Sequence, residues 1–375
     1  MATHARMLVC MRTTRTSSTD LIPRYIRIRE AIIKRVESGA LKPGDQIPSL
    51  REICQEFGVS SITARRALLD LLNEGIVERR GGLGAFVTGT LRHASVAVVI
   101  IGYTESSWRG DSGSFGQLVG GIASAAWEEE ASLSVVPIND MARANASLSR
   151  LLRDQPIDGV LFRIAGEVDW SILDIPHTYG VEAVLIKRIA PGDSTPSVVP
   201  DAERAGRIAV ERLVKDGHER IALVATTVSP DTYRDHRAGF ERAMRDAGLS
   251  IIPDFMPSLG RGTRQDGVAM TTPLLSLPKP PTAIVTNSDF LAAGVYEAVA
   301  AAGVSIPHDV SVVSFDDVEF AAHLTPPLTT VRLSYYDLGH FAAAALFRAL
   351  RKEPGPQVEI VPVELVDRQS VAPPS

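Results

Sequence analysis

The chain has 375 residues, enough for two or three domains of roughly 100–200 residues each. Its 45% hydrophobic and 22% charged residues are typical of folded proteins and exclude an intrinsically disordered chain. The net charge of −5 hides an asymmetry, because residues 1–90 carry a net +5 and residues 91–375 a net −10. We therefore expect a basic module that faces an anionic partner and an acidic module with another task.

Targeting and cofactor signals are absent from the sequence pattern. Two cysteines, Cys10 and Cys54, exclude a disulfide scaffold or a CxxC metal or redox site. No apolar run approaches the ~18–20 residues of a membrane span, and the run at 7–11 is too short for a secretory signal. The histidines lack metal-ligand spacing, so no metal and no cofactor is predicted. The sequence predicts a cytoplasmic protein that does not bind membranes, with a flexible tail over residues 1–20.

Residues 21–90 predict a small domain of three helices and a β-hairpin. Apolar residues at spacings of three and four predict the first helix after Pro23. Ser49, with Glu52 three residues on, predicts the start of the second helix, and Gly58 its end. Ser60 is expected to cap the third helix, which is followed by two short strands around a glycine-rich turn at 80–84.

The second and third helices are close enough to form a helix-turn-helix, whose later helix enters the DNA major groove. Five residues of the third helix lie largely off its apolar face: Ser61, Ile62, Thr63, Arg65 and Arg66. Arginine can bind guanine with two hydrogen bonds, and serine or threonine can reach base edges or phosphate. The alternative for such a pattern is an ordinary solvated helix face.

This domain resembles the winged-helix domain of the GntR family of bacterial transcription regulators. The motifs that carry the resemblance are SGALKPGD (38–45), IPSLRE (47–52), FGVS (57–60), TARRAL (63–68), EGIV (74–77) and GAFV (84–87). The resemblance implies DNA contacts by Arg51, Ser60, Ser61, Thr63, Arg65 and the tip of the wing at Gly82. Ser61 replaces a frequent arginine and Leu83 a frequent basic residue, so affinity or sequence preference should differ from the family pattern.

After a short linker at 91–95, residues 96–375 alternate strands with helices. An apolar strand at 96–101 is followed by a helix at about 115–129 and by strands at about 133–136, 158–162 and 183–186. A second series begins near Asp201, with strands at 221–225, 283–286 and 310–315 and helices at 201–215, 235–247 and 290–302. Two successive series predict two doubly wound α/β lobes with a ligand cleft at the carboxyl ends of their strands.

Residues 96–375 resemble the effector domain of the LacI/GalR family, which is similar to periplasmic sugar-binding proteins. The motifs are VVPD (198–201), GHERIA (217–222), AGF (238–240), PTAIV (281–285), SD (288–289), AAGV (292–295), IPHDVSVV (306–313), FDD (315–317) and PPLTTV (326–331). A GntR head on a LacI-type body is the architecture of the arabinose-repressor branch. The resemblance implies a homodimer that binds double-stranded operator DNA and a small sugar-like effector.

The effector residues carry over with departures from the family pattern. Asp316 stands where the family places a carboxylate that accepts hydrogen bonds from sugar hydroxyls. His236 replaces an effector-gripping arginine, with Arg237 beside it, and Ser288-Asp289 replaces an Asn-Asp pair.

A long loop after the first strand carries Trp108 and leads to Phe115, aromatic residues that can line the cleft or simply cover the surface. The sequence leaves two ligand classes open. Asp316 favours a neutral polyol, whereas His236, Arg237, Arg109 and Arg188 are candidate cations for an anionic effector.

No nucleophile motif, Walker A loop or dinucleotide fingerprint occurs, so we expect no enzymatic activity. Adjacent strand residues such as Asp316 and Asp317 point to opposite faces and do not form an acid/base pair on one bond. The alternative to a ligand-responsive repressor is a carbohydrate carrier or carbohydrate-processing protein with an incidental basic head.

Overall fold

The computed structural model describes residues 23–88, 94–102, 112–192, 194–227, 230–258 and 262–375. Two compact units are formed, a head within residues 23–88 and a body comprising residues 94–177 and 181–375. Each is described by itself. The predicted tail at 1–20, most of the predicted linker and the loop with Trp108 lie outside the described residues.

The head consists of three helices followed by an antiparallel hairpin. Its elements are α1 (Arg24–Glu37), α2 (Leu50–Phe57), α3 (Ser61–Asn73), β1 (Val77–Arg80) and β2 (Gly84–Val87). The apolar stripes predicted from the sequence meet in one core. Ile28 of α1, Ile53 of α2 and Leu71 of α3 are fully buried there.

Local capping determines where α2 and α3 begin. The Ser49 hydroxyl accepts a hydrogen bond from the Glu52 amide, and the Glu52 carboxylate accepts one from the Ser49 amide, which completes a capping box. Gly58 ends α2 in the left-handed region at φ 61°, where a side chain would be strained. Ser60 then caps α3 by accepting from the Thr63 amide. These residues produce the tight turn between the two helices.

The body is an α/β structure with two sheets. Its elements in chain order are β3 (Ser95–Ile101), α4 (Ser112–Glu128), β4 (Ser132–Ile138), α5 (Ala144–Asp154), β5 (Gly159–Ile164), α6 (Asp174–Thr178), β6 (Glu182–Ile186), β7 (Ser197–Pro200), α7 (Ala202–Lys215), β8 (Ile221–Val224), α8 (Pro230–Asp246), α9 (Arg264–Leu275), β9 (Ala283–Thr286), α10 (Asp289–Ala301), β10 (Ser311–Asp316), β11 (Thr329–Leu333), α11 (Tyr335–Leu350), β12 (Val358–Val361) and β13 (Val363–Val366). The helix predicted from Asp235 begins earlier, at Pro230.

Each sheet forms the centre of one lobe. Lobe 1 has six parallel strands in the order β12-β7-β6-β5-β3-β4. Lobe 2 has five strands in the order β13-β11-β10-β9-β8, parallel except for β13. This confirms the predicted combination of a winged helix-turn-helix with two doubly wound lobes.

The alternation of strands and helices in the sequence suggested two lobes formed by successive segments of the chain. The structure differs, because each lobe contains segments from separate parts of the chain. After β11 the chain returns to lobe 1 to form α11 and β12, and it then crosses back to form β13. Three connections therefore join the lobes: Pro200 to Ala202, Leu333 to Tyr335, and Val361 to Val363. Each connection leaves the carboxyl end of a strand, β7, β11 or β12, so these ends lie on the side where the lobes meet.

Helix pairs in both lobes pack at reciprocal glycines. In lobe 2, a Cβ on Gly206 of α7 would collide with the His236 carbonyl of α8, and a Cβ on Gly239 of α8 would collide with the Glu203 carbonyl of α7. The two helices therefore approach closely enough to place the buried face of α8 against the sheet.

Candidate functional site

The first turn of α3 forms an exposed polar and apolar surface. The Ser60 hydroxyl accepts from the Thr63 amide at 3.3 Å and lies 3.0 Å from the Thr63 hydroxyl, so both residues take part in the cap. Ser61 is exposed, and the Ile62 side chain is 80% exposed. Serine can reach base edges or phosphate, whereas isoleucine can only make apolar contacts, for example with a thymine methyl.

The predicted DNA-contacting arginines fall into two groups. Arg51, the second residue of α2, and Arg65, one turn into α3, are both exposed. Arg66 instead pairs with Asp70 at 3.3 Å, and its guanidinium lies 5.5 Å from the centre of the Tyr25 ring. Arg66 is thus held against α1, whereas Arg51 and Arg65 extend toward solvent on the helix-turn-helix surface.

The hairpin tip is a rigid turn with an apolar end. Gly82 has φ 71° and Gly84 has φ 113°, both in the region that favours glycine. The Gln46 side chain donates to the Leu83 carbonyl at 2.7 Å and fixes this turn. The Leu83 side chain is 67% exposed, at the position where the family pattern favours a basic residue.

The cleft of the body lies where the carboxyl ends of the two sheets meet. Lobe 1 contributes Arg163, near the end of β5, and Lys187 and Arg188, which follow β6. These three side chains belong to residues only 7–8% exposed. Lobe 2 contributes carboxylates, Asp316 at the end of β10 and Asp231 in the first turn of α8. The buried basic groups are therefore on the lobe 1 wall and these carboxylates on the lobe 2 wall, whereas Arg234 of lobe 2 is exposed and paired with Asp235 at 2.9 Å.

A chain of hydrogen bonds joins the two walls through a tyrosine. The Lys187 ammonium donates to the Tyr335 hydroxyl at 2.8 Å, and that hydroxyl donates to an Asp316 carboxylate oxygen at 2.9 Å. Lys187 has φ 63° and Asp316 has φ 111°, values that are unfavourable for side chains with a Cβ. Such strain persists where the surrounding structure holds it, commonly at functional sites.

A second link between the lobes is an ion pair. The Arg188 guanidinium donates to an Asp231 carboxylate oxygen at 2.9 Å and also to the Gly166 carbonyl, and it lies 4.9 Å from the centre of the Trp170 ring. A small pocket opens beside it between the lobes. Its lining includes Lys187 and Arg188 of lobe 1 and Asp231, Thr232, Arg234 and Asp235 of lobe 2.

His236 is buried on the inner face of α8. Its ring stacks on Phe315 with centroids 4.3 Å apart and planes 15° apart. Neither ring nitrogen has a hydrogen-bond partner among the described residues. Burial, together with the charge of Lys187, lowers the pKa of His236 to about 3, so the ring is neutral at physiological pH.

Arg237 lies on another side of α8 from His236. Its guanidinium donates to Glu241 at 2.7 Å and to the Tyr233 hydroxyl at 3.3 Å. Consecutive residues of a helix differ in direction by about 100°. The structure therefore brings His236 toward the strand ends and leaves Arg237 on an exposed salt-bridged face.

Asp289 is fully buried and serves the loop that follows β10. Its carboxylate accepts from the Val318 amide and the Thr330 hydroxyl, each at 2.9 Å. Burial, and the nearby charge of Asp316, raise the pKa of Asp289 to about 7. Asp289 is thus a buried group that holds the loop after β10 through Val318 and Thr330.

The other predicted cleft residues have varied surroundings. Ser288 caps α10 by accepting from the Phe290 amide at 3.3 Å. Phe115 is partly buried against the main core of the body. Trp108 lies outside the described residues, so its place in the cleft stays a prediction, as do the effector contacts of the other residues.

Sequence reasoning missed Arg163, Lys187 and Tyr335. Their signal was available in part, because each lies within two residues of the carboxyl end of a strand: β5, β6 or β11. Polar residues at the carboxyl ends of parallel strands are the usual ligand-binding positions of doubly wound folds. Among the residues that the structure describes, no cluster of three or more potential metal ligands occurs. Within the same ranges, no helix is long and apolar enough to cross a membrane.

Comparisons with known proteins match both units. Residues 24–87 match bacterial regulatory proteins of the gntR family, and residues 210–371 match the periplasmic binding protein-like domain. The ribose operon repressor of Escherichia coli (strain K12) is 30% identical over 238 residues, which cover 63% of this chain and 71% of that protein. The arabinose metabolism transcriptional repressor of Geobacillus stearothermophilus is 27% identical over 339 residues, which cover 88% of this chain and 92% of that protein.

A solved structure agrees with the sequence relatives. The LacI family transcriptional regulator from Mycobacterium smegmatis has a TM-score of 0.64 and 28% identity, and the match covers 74% of this chain and 100% of that chain. The chain belongs to the family of bacterial transcription repressors with a LacI-type, periplasmic-binding-protein-like effector domain, and it carries a gntR-family head.

Proposed function

We propose that this protein is an operator-binding transcription repressor of the arabinose-repressor type, which acts as a homodimer and responds to a sugar-like effector held between its lobes. The observation that carries the proposal is the pairing, in one chain, of an exposed recognition helix with a two-lobe cleft whose walls carry opposite charge. The arabinose metabolism repressor supports it, because the alignment runs through both head and body.

Arg51, Ser61 and Arg65 are the head residues best placed to touch DNA. Exposed arginines at the start of α2 and one turn into α3 can neutralise phosphates or bind guanine, and Ser61 can reach the backbone or a base edge. A monomeric head offers few such contacts. A homodimer adds a second half-site at high effective concentration and raises affinity without new chemistry.

Asp316 can bind an effector through its carboxylate, which accepts hydrogen bonds from hydroxyl groups. The links through Tyr335 and Asp231 hold the lobes together, so a ligand that enters must exchange contacts with them. A ligand that binds the closed form more tightly than the open form shifts the balance between them. Operator affinity then changes by no more than the difference between those two ligand affinities.

Operator binding is tested first with the full chain. Fluorescence anisotropy is measured with DNA from its own promoter region and with unrelated DNA, across a range of salt concentrations. We expect sequence preference and a steep loss of affinity with salt, because neutralised phosphates release counterions. Arg65→Ala should cost about 1–3 kcal/mol for the preferred site and relax its preference. Arg245→Ala, an equal charge loss on an exposed part of α8, is the matched control. Binding without sequence preference would contradict the proposal.

The effector response is tested separately with Asp316→Ala. Operator binding is titrated with the sugar that gives the largest effect on the wild type. We expect the variant still to prefer its operator over unrelated DNA and to lose the response to the sugar. Asp246→Ala, which removes an exposed carboxylate at the end of α8, serves as control. A response at the same sugar concentration in Asp316→Ala would show that Asp316 does not bind the effector.

A further inference from the structure

The buried basic side chains of the cleft all belong to lobe 1, which limits the chemistry of the ligand. Arg163, Lys187 and Arg188 all belong to lobe 1, and Asp231 and Asp316 both belong to lobe 2. A cation that is more than nine-tenths buried is unfavourable unless an acceptor or a negative charge lies against it. In the closed cleft, lobe 2 provides such groups for lobe 1 through Asp231 and through the Tyr335–Asp316 hydrogen bond.

Opening the lobes separates these partners. Lys187 and Tyr335 stay together on lobe 1, whereas Asp316 leaves with lobe 2, and Asp231 leaves Arg188 in the same way. The lobe 1 wall then presents three basic side chains around the ends of β5 and β6. A ligand that first contacts this wall binds it most tightly if the ligand carries a negative charge.

The lobe 2 wall favours different groups on the same ligand. An ionised Asp316 accepts only, so it suits hydroxyl donors. His236 is neutral, and its two ring nitrogens are buried without partners among the described residues. A neutral imidazole donates from one nitrogen and accepts at the other, so it suits a hydroxyl, which does both.

We propose that the effector is a polyhydroxylated anion, whose carboxylate or phosphate group binds Lys187 with Arg163 nearby, and whose hydroxyls bind Asp316 and His236. This inference rests on the proposed function and narrows its ligand class. The small pocket beside Lys187 and Arg188 is also lined by Asp231 and Asp235. An anionic group therefore reaches Lys187 only after lobe 2 has moved these carboxylates away. A neutral sugar can form hydrogen bonds with Asp316 and His236 of lobe 2. It supplies no negative charge to the basic side chains of lobe 1 after the carboxylates of lobe 2 have moved away.

The test compares matched ligands on the full chain. Thermal unfolding is measured with pairs that differ in one group: D-ribose with D-ribose 5-phosphate, D-glucose with D-glucuronate and with D-gluconate, and L-arabinose with L-arabinonate. We expect at least one anion to raise the midpoint temperature where its neutral parent does not. Phosphate and carboxylate members distinguish the two sources of charge. A neutral sugar that stabilises as much as its anionic partner, or a panel in which no anion stabilises, would overturn the proposal.

Substitutions of Lys187 test whether the anionic group of the ligand binds there. Lys187→Met keeps the length of the side chain and removes the charge, and it should weaken binding of the stabilising anion about tenfold to hundredfold. Lys187→Arg should retain the preference for the anion, which keeps the test decisive if Lys187→Met does not fold. Lys215→Met, at an exposed lysine that ends α7, should change nothing.

The preference for an anionic effector and the repressor function are tested independently. Anion preference is measured without DNA, so its loss leaves operator binding and the repressor assignment untouched. If Lys187→Met binds the anion as tightly as the wild type while Lys215→Met behaves normally, the anionic group does not bind at Lys187.

Discussion

The ion pair between Arg188 and Asp231 should couple the two lobes measurably. Arg188 follows β6 in lobe 1, Asp231 begins α8 in lobe 2, and the two side chains are 9% and 26% exposed. At 2.9 Å, two unit charges attract by about 6 kcal/mol at an effective dielectric constant of about 20. Desolvation of both groups offsets most of this attraction. We expect a net coupling of about 1–3 kcal/mol.

A double-mutant cycle measures this coupling. Arg188→Met, Asp231→Asn and the double variant are compared with the wild type by urea unfolding of the full chain. The Arg242–Glu203 pair is the control, because its atoms lie 3.4 Å apart but its side chains are 57% and 50% exposed. Exposed pairs contribute about 0.2–1 kcal/mol. A coupling for Arg188 and Asp231 no larger than that of the control pair would refute the reasoning, since burial would then have added nothing.

Three further outcomes follow from the described contacts. Ile62→Ala should weaken binding to the preferred operator by about 1 kcal/mol, and replacing one contacted thymine by deoxyuridine should weaken the wild type but not the variant; equal losses in both proteins would contradict a methyl contact. Asp289 keeps its proton up to about pH 7 in the folded state but loses it near pH 4 when unfolded, so its contribution to stability falls between those values. The stability deficit of Asp289→Asn relative to the wild type should therefore shrink from pH 4 to pH 7 in urea unfolding, and a constant deficit would contradict the raised pKa. Gly239→Ala should destabilise the body by about 1–3 kcal/mol in thermal unfolding, because its Cβ meets the neighbouring helix backbone, whereas Gly116→Ala, which faces open space, should not.

The head was predictable from sequence because its signals are local. Capping residues and glycine stops lie within a few positions of the helix ends they determine, as at Ser49, Gly58 and Ser60. The apolar spacing of each helix selects the face that enters the core. The exposed position of Arg65 follows from the same spacing, whereas the pairing of Arg66 with Tyr25 requires α1 and α3 to pack against each other.

The cleft depended on tertiary structure. Lys187 and Tyr335 are 148 residues apart in the chain, and Arg188 and Asp231 are 43 apart. Nothing local brings them together, because that requires the chain to return to lobe 1 after β11. The sequence alone determined the strands, the helices, the two modules and the place of Asp316 at a strand end. The fold decided that His236 is buried and neutral, since only the packing of α8 against β10 removes water from its ring.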